Sequence, residues 1–164
     1  MIGLGLGFAS PETRAPTRLP PAQRFAALGA PGAAGSWVAF VGAGSAGSVG
    51  VYACNLNSGA CRRVVDSRSK LPGGGSFANF EGTPSVAADG TVVFMADASN
   101  ASRSGVYGAD FRGNVWPVVA MGDRFTYLRA RGTAWDGRCL AFYAITGDAD
   151  AVLAVDGRSS RFRR

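Results

Sequence analysis

The sequence brings eleven carboxylates and no histidine to any chemistry it performs. Without an imidazole the usual general base and the commonest metal ligand are missing, and Ser-His-Asp or Cys-His arrangements are excluded. Acid–base work would fall to paired carboxylates, as it does in glycosidases. Most of the acids, Asp89 and Asp136 among them, stand beside glycine in turn-like stretches. There a short acceptor caps a chain reversal, and that is their expected role. Asp148 and Asp150 have a D-x-D spacing that offers two carboxylates to Ca²⁺ from a loop, though without the further ligands of an EF-hand. They are the weak metal candidates. Zinc is not expected, because the chain has no second cysteine pair, and no cofactor is called for.

Cys54 and Cys61 flank Asn55-Leu-Asn-Ser-Gly-Ala60, a hairpin-turn sequence that can set two strand residues opposite each other. A cross-strand disulfide is expected there, and with it an oxidising compartment: secreted, cell-surface or an organelle lumen. Cys139 reads as a small packed or outward side chain. Leu71-Pro-Gly-Gly-Gly-Ser76 and the Gly42–Gly50 tract lack the Gly-Lys-Ser/Thr ending and following helix of a phosphate loop, so both read as connections.

The net charge of +6 is concentrated at the C-terminus, where Arg158, Arg161, Arg163 and Arg164 surround Phe162 and the last seven residues hold no acid. This tail is a candidate for an acidic partner surface. No basic stripe interleaved with aromatics runs through the rest of the chain, so nucleic acid is not expected as a partner. Among the aromatics Trp135, placed before Asp136-Gly137, is the candidate for an exposed contact residue, although packing is the favoured role for it as for the others. No apolar run approaches the roughly 20 residues of a membrane-spanning helix.

These residues hang on a pattern written three times. The aromatic openers Phe25-Ala-Ala-Leu28, Phe77-Ala-Asn-Phe80 and Phe125-Thr-Tyr-Leu128 each precede a short apolar run ending in Phe: Trp37–Phe40, Val92–Phe94 and Leu140–Phe142. Gly50-Val-Tyr52, Gly105-Val-Tyr107 and Ala151-Val-Leu153 follow. A period of about 50 residues with four short strands in each is the sign of a β-propeller blade. With 24 glycines in 164 residues and few charges, the composition suits an all-β protein of short strands and tight turns. The expected architecture is three four-stranded antiparallel repeats at about 24–70, 71–123 and 124–164, forming an incomplete ring. Residues 1–23, rich in proline, read as an extended arm.

The stretch from Val64 to Phe77, with Ala87-Ala-Asp-Gly-Thr-Val-Val-Phe94 and Gly105-Val-Tyr107, resembles the NxxGxxAF tandem-repeat proteins. The closing Gly-Asp of those repeats is present as Gly122-Asp123 but is replaced by Ser67-Arg68 after the first repeat. Their Asn is absent throughout, with Ala87 in its place in the second. The resemblance implies a propeller-like repeat plan and carries no catalytic activity with it.

The function expected is a non-catalytic binding or scaffold module, an accessory subunit of a larger assembly or a homo-oligomer. Its association would run through blade edges and termini. The alternative is a carbohydrate- or metal-binding domain with Asp-based hydrolytic activity, which two carboxylates converging in one pocket would favour.

Overall fold

The computed structural model describes residues 25–44, 47–120, 133–146, 149–156 and 161–162, with the backbone alone described at 144–146, 149–153 and 161–162. The described chain forms three antiparallel sheets. The first holds β1 (Phe25–Leu28), β2 (Gly32–Ala34), β3 (Trp37–Gly44), β4 (Val49–Asn55) and β5 (Cys61–Asp66). The second holds β6 (Phe77–Val86), β7 (Val92–Ala98), β8 (Gly105–Ala109) and β9 (Val115–Ala120). The third holds β10 (Thr133–Trp135), β11 (Cys139–Thr146), β12 (Ala149–Asp156) and β13 (Arg161–Phe162). The second and third sheets are meanders of sequential neighbours, the first follows the same plan with β1 and β2 both set against β3, and the three do not close on one another among the described residues. This is an all-β, propeller-like architecture.

The first sheet has five strands where four were expected, because its opening strand is broken. β1 pairs with the Gly42–Gly44 end of β3 and β2 with the Trp37–Ala39 end. Gly29-Ala-Pro31 separates them, and Pro31 has no N–H to give the ladder. In the second sheet β6 spans both halves and absorbs the same irregularity as a register shift between Glu81 and Ser85. In the third, β10 is the counterpart of β2, set against Leu140–Phe142. The opener Phe125-Thr-Tyr-Leu128 and the arm at residues 1–23 lie outside the described residues.

The middle sheet is covered on both faces, which explains its nearly unbroken apolar strands. Val92, Val93, Phe94, Met95 and Ala96 are all buried in succession. On one face Phe77, Phe80, Phe94 and Tyr107 pack with Ala39, Val51, Ala53 and Val65 of the first sheet. On the other, Val93, Met95, Val106, Val118 and Val119 pack with Trp135, Leu140, Phe142 and Val155 of the third. Burying each such side chain contributes about 1.5–3 kcal/mol.

The repeat extends to ring geometry. In the first sheet Phe40 stacks on Tyr52 at 5.9 Å and 18°, with Phe25 edge-on to Tyr52 at 4.6 Å. In the second, Phe94 stacks on Tyr107 at 6.0 Å and 22°, with Phe77 edge-on to Tyr107 at 5.2 Å. The register is shared too: Phe40 is opposite Tyr52, and Phe94 is opposite Tyr107.

At the seam between the first two sheets β2 passes so close to β6 that a Cβ on Gly32 would stand 2.2 Å from the Pro84 carbonyl oxygen. Between the second and third sheets, the Ser85 hydroxyl donates to the Thr133 carbonyl and lies 3.0 Å from the Thr133 hydroxyl. The run Gly73-Gly74-Gly75 takes positive φ at all three residues (80°, 98° and 91°). Its loop wraps a cation: Arg103 Nη1 donates to the carbonyls of Pro72 (3.2 Å) and Gly74 (3.1 Å).

Candidate functional site

A cleft of about 380 Å³ opens along the seam between the second and third sheets, lined by Asp89, Thr91, Asp110, Phe111, Arg112, Trp116 and Trp135. Three turns and strand ends supply these residues: the β6–β7 turn, the β8–β9 turn with the start of β9, and the end of β10.

Each turn is built on an Asp that accepts backbone N–H groups ahead of it. Asp89 Oδ1 accepts from the Thr91 N–H at 2.9 Å. Asp110 Oδ1 accepts from the N–H groups of Arg112 (2.8 Å) and Asn114 (3.0 Å), and its Oδ2 accepts from Asn114 Nδ2 at 2.7 Å. Desolvation opposes the ionisation of Asp110, but the hydrogen bonds from Asn114 and Arg112 outweigh it and hold the carboxyl below its ordinary value. Asp136 accepts from the N–H groups of Cys139 (2.6 Å) and Arg138 (2.7 Å), which lower its pKa in the same way. A carboxylate bound like this stays ionised near neutrality. It is a poor general acid.

The Asp110 turn is also braced from behind. Arg62 of β5 reaches across from the first sheet and donates Nη2 to the Asp110 carbonyl at 3.0 Å. Burial pushes the Arg62 guanidinium below its usual pKa, partly offset by the Asp110 charge, and its Nε has no hydrogen-bond partner among the described residues.

Trp135 takes the packed role favoured for it and not the exposed one that its position before Asp136-Gly137 also offered. It closes β10 and is 8% exposed, because strand alternation turns its ring toward Val93 and Val118 of the middle sheet. It lines the cleft from inside, and its indole Nε1 has no partner among the described residues. Phe111 is the exposed ring instead, at 56%, with the Arg112 guanidinium 5.5 Å from its centroid. Neither Phe111 nor Arg112 was among the sequence candidates. Their signal was Asp110-Phe-Arg-Gly-Asn114, since large side chains at the apex of a tight Asx turn must point to solvent.

The remaining candidates are placed as follows. Cys54 and Cys61 are opposite each other on β4 and β5 and joined by a disulfide. Asp150 pairs with Ile145 inside β12, a strand position and not the loop expected for a cation-binding D-x-D pair. The short β13, Arg161–Phe162, pairs with Val155 and Asp156. Asp148, Arg158, Arg163 and Arg164 lie outside the described residues. No group of three or more metal-ligating side chains occurs among the described residues. No helix among them is long and apolar enough to cross a membrane.

No family model matches the chain, and no curated protein matches it. Among solved structures it is similar to the β-propeller domain of the Trilobed protease from Pyrococcus furiosus, which is described as having an open velcro topology. The TM-score is 0.59 at 17% identity, over 86% of this chain and 42% of that one. The chain thus spans less than half the length of this propeller neighbour. The likeness is one of fold.

Proposed function

We propose that this chain is a non-catalytic β-propeller-type binding module, working as an accessory subunit of a larger assembly or as a homo-oligomer. The observation that carries the reading is the engagement of the carboxylates at the cleft. Asp110 uses both oxygens, and Asp89 one, to hold their own turns. With no histidine in the sequence, nothing else among the described residues of the cleft is suited to proton transfer near neutral pH. The disulfide supports maturation in an oxidising compartment, at the cell surface, outside the cell or in a lumen.

The convergence of Asp89 and Asp110 in one cleft with Trp116 and Trp135 favours a second reading, an Asp-dependent hydrolase that stacks a sugar ring. Glycosides and soluble oligosaccharides, assayed for product release while tryptophan fluorescence reports binding, separate the two. The proposal expects no release with any of them. Release that Asp110→Asn abolishes would overturn it in favour of the hydrolase.

A further inference from the structure

We propose that the outer face of the first sheet is a blade-receiving surface, and that its occupant is the third sheet of a second copy of this chain. The inference rests on reading the chain as a binding module and names the partner.

The first sheet carries on its outer face the same aromatic cluster that the second buries beneath its neighbour. Phe25, Phe40 and Tyr52 repeat the geometry of Phe77, Phe94 and Tyr107 ring for ring. In the second sheet all three rings are buried, because Ala39, Val51 and Ala53 of the first sheet lie over them. In the first sheet Tyr52 is buried beneath Phe25, but Phe25 and Phe40 themselves are only half-buried. The last member of the opener shows the contrast most sharply. Leu28 is 63% exposed, whereas Phe80 at the same place in the repeat is 6% exposed. An apolar cluster of this form is built to be covered by a sheet.

The third sheet offers a matching cover. The covering face of the first sheet centres on Ala39 opposite Ala53, two small residues that let the aromatic cluster approach. In the third sheet Ala141 stands opposite Ala154 in the equivalent register. Leu140, Phe142 and Val155 point into the middle sheet, so alternation turns Ala141 and Ala154 to the far side. There Ala154 is exposed and Ala141 half-buried.

The two faces left uncovered among the described residues are therefore the two halves of a junction already present inside the chain, between the first and second sheets. Such a contact is heterologous, and two copies joined head to tail through it close as a ring of six sheets. The size agrees with the solved propeller, of which one chain matches 42%, so that two copies approach one ring.

The test is the solution mass of the full chain and of two variants at the exposed positions, Leu28→Arg and Ala154→Arg. The expected wild-type mass is twice the 16.8 kDa of one chain. Each variant alone should fall to a single chain with its thermal transition retained. Mixed in equal amounts they should recover the doubled mass, because one wild-type junction then remains between unlike copies. A monomeric wild type overturns the inference. So does a dimer that Ala154→Arg leaves intact, the result expected if first sheets pair with each other. If either arginine variant loses its cooperative transition, Leu28→Ser or Ala154→Gln takes its place in the same mixing scheme. A monomer leaves the non-catalytic reading standing, and product release in the glycoside assay removes that reading without changing the mass.

Discussion

Gly32→Ala tests the seam between the first and second sheets more directly than any core truncation. The added methyl would stand 2.2 Å from the Pro84 carbonyl oxygen and 3.3 Å from its carbon. Both obstacles are backbone, so no side chain can rotate away. Ordinary contact begins near 3.4 Å, so β2 and β6 must part by about 1.2 Å. A radial gap of roughly 0.5–1 Å already forfeits about a quarter to a half of the dispersion energy of the atoms it separates. Overpacking of this kind costs about 1–3 kcal/mol. Taking about 2 kcal/mol, the melting temperature should fall by roughly 4–8 °C. Gly29→Ala is the matched control, because its Cβ meets nothing closer than 3.5 Å. It should leave stability unchanged to within about 0.5 kcal/mol. Thermal and urea unfolding followed by Trp fluorescence suit the purpose, since Trp37 packs against the Gly90 turn at this seam. If the two variants melt together, the close approach of β2 to β6 is not a real constraint and the packing argument fails.

Two further outcomes follow from the described bonds. Cys54→Ser/Cys61→Ser removes a crosslink between residues separated by 7 in sequence; loop-closure entropy for so short a loop gives a loss of about 2.5 kcal/mol. Thermal melts should show it, and a double variant as stable as the parent would mean that the Asn55 turn alone fixes the hairpin. Asp66→Asn should destabilise by about 1–2 kcal/mol, because the buried carboxylate accepts from Arg63 Nη1, Ser69 Oγ and the Arg68 N–H. Burial raises the Asp66 pKa, but these hydrogen bonds outweigh it and leave the folded value below the ordinary one. The stability that the carboxylate supplies is therefore complete above its unfolded pKa of about 3.9 and is lost as pH falls through the lower folded value. Urea midpoints of the two proteins should differ by a constant amount from neutrality down to about pH 4 and converge below it; a gap that closes near neutrality would contradict the assignment.

The repeat was legible because its signals are local and periodic. Phe-x-x-(Leu/Phe), Asp89-Gly90 and Gly105-Val-Tyr107 each fix a strand or a turn by residue type and spacing alone. The break between β1 and β2 was hidden, because Glu81-Gly-Thr-Pro84 carries a similar interruption that β6 absorbs without ending. Trp135 admitted both a packed and an exposed reading because the boundary is one residue wide: Asp136 begins the turn, and the strand before it turns the ring inward. The cleft could not be read at all. Asp89, Phe111 and Trp135 come from three different turns and strand ends, and only the stacking of sheets brings them together. The bracing of the Asp110 turn by Arg62, 48 residues earlier, is equally invisible in a linear pattern.

The glycine run beside Arg103 bears on how this sequence can drift. Three successive residues at positive φ each exclude a side chain at a cost of about 1–2 kcal/mol, and the gain from a replacement on the surface is small. A Cβ at Gly73 would also press on the Arg103 guanidinium at 2.8 Å. The buried valines of β7 can exchange for other branched or aliphatic residues at modest cost, whereas Gly73, Gly74 and Gly75 have only Asn and Asp as near substitutes. The usual gradient of tolerance, permissive outside and strict inside, is inverted at this edge of the blade. The run has no counterpart before Phe25 or Phe125, so this strictness belongs to the one loop that holds Arg103 and not to the repeat.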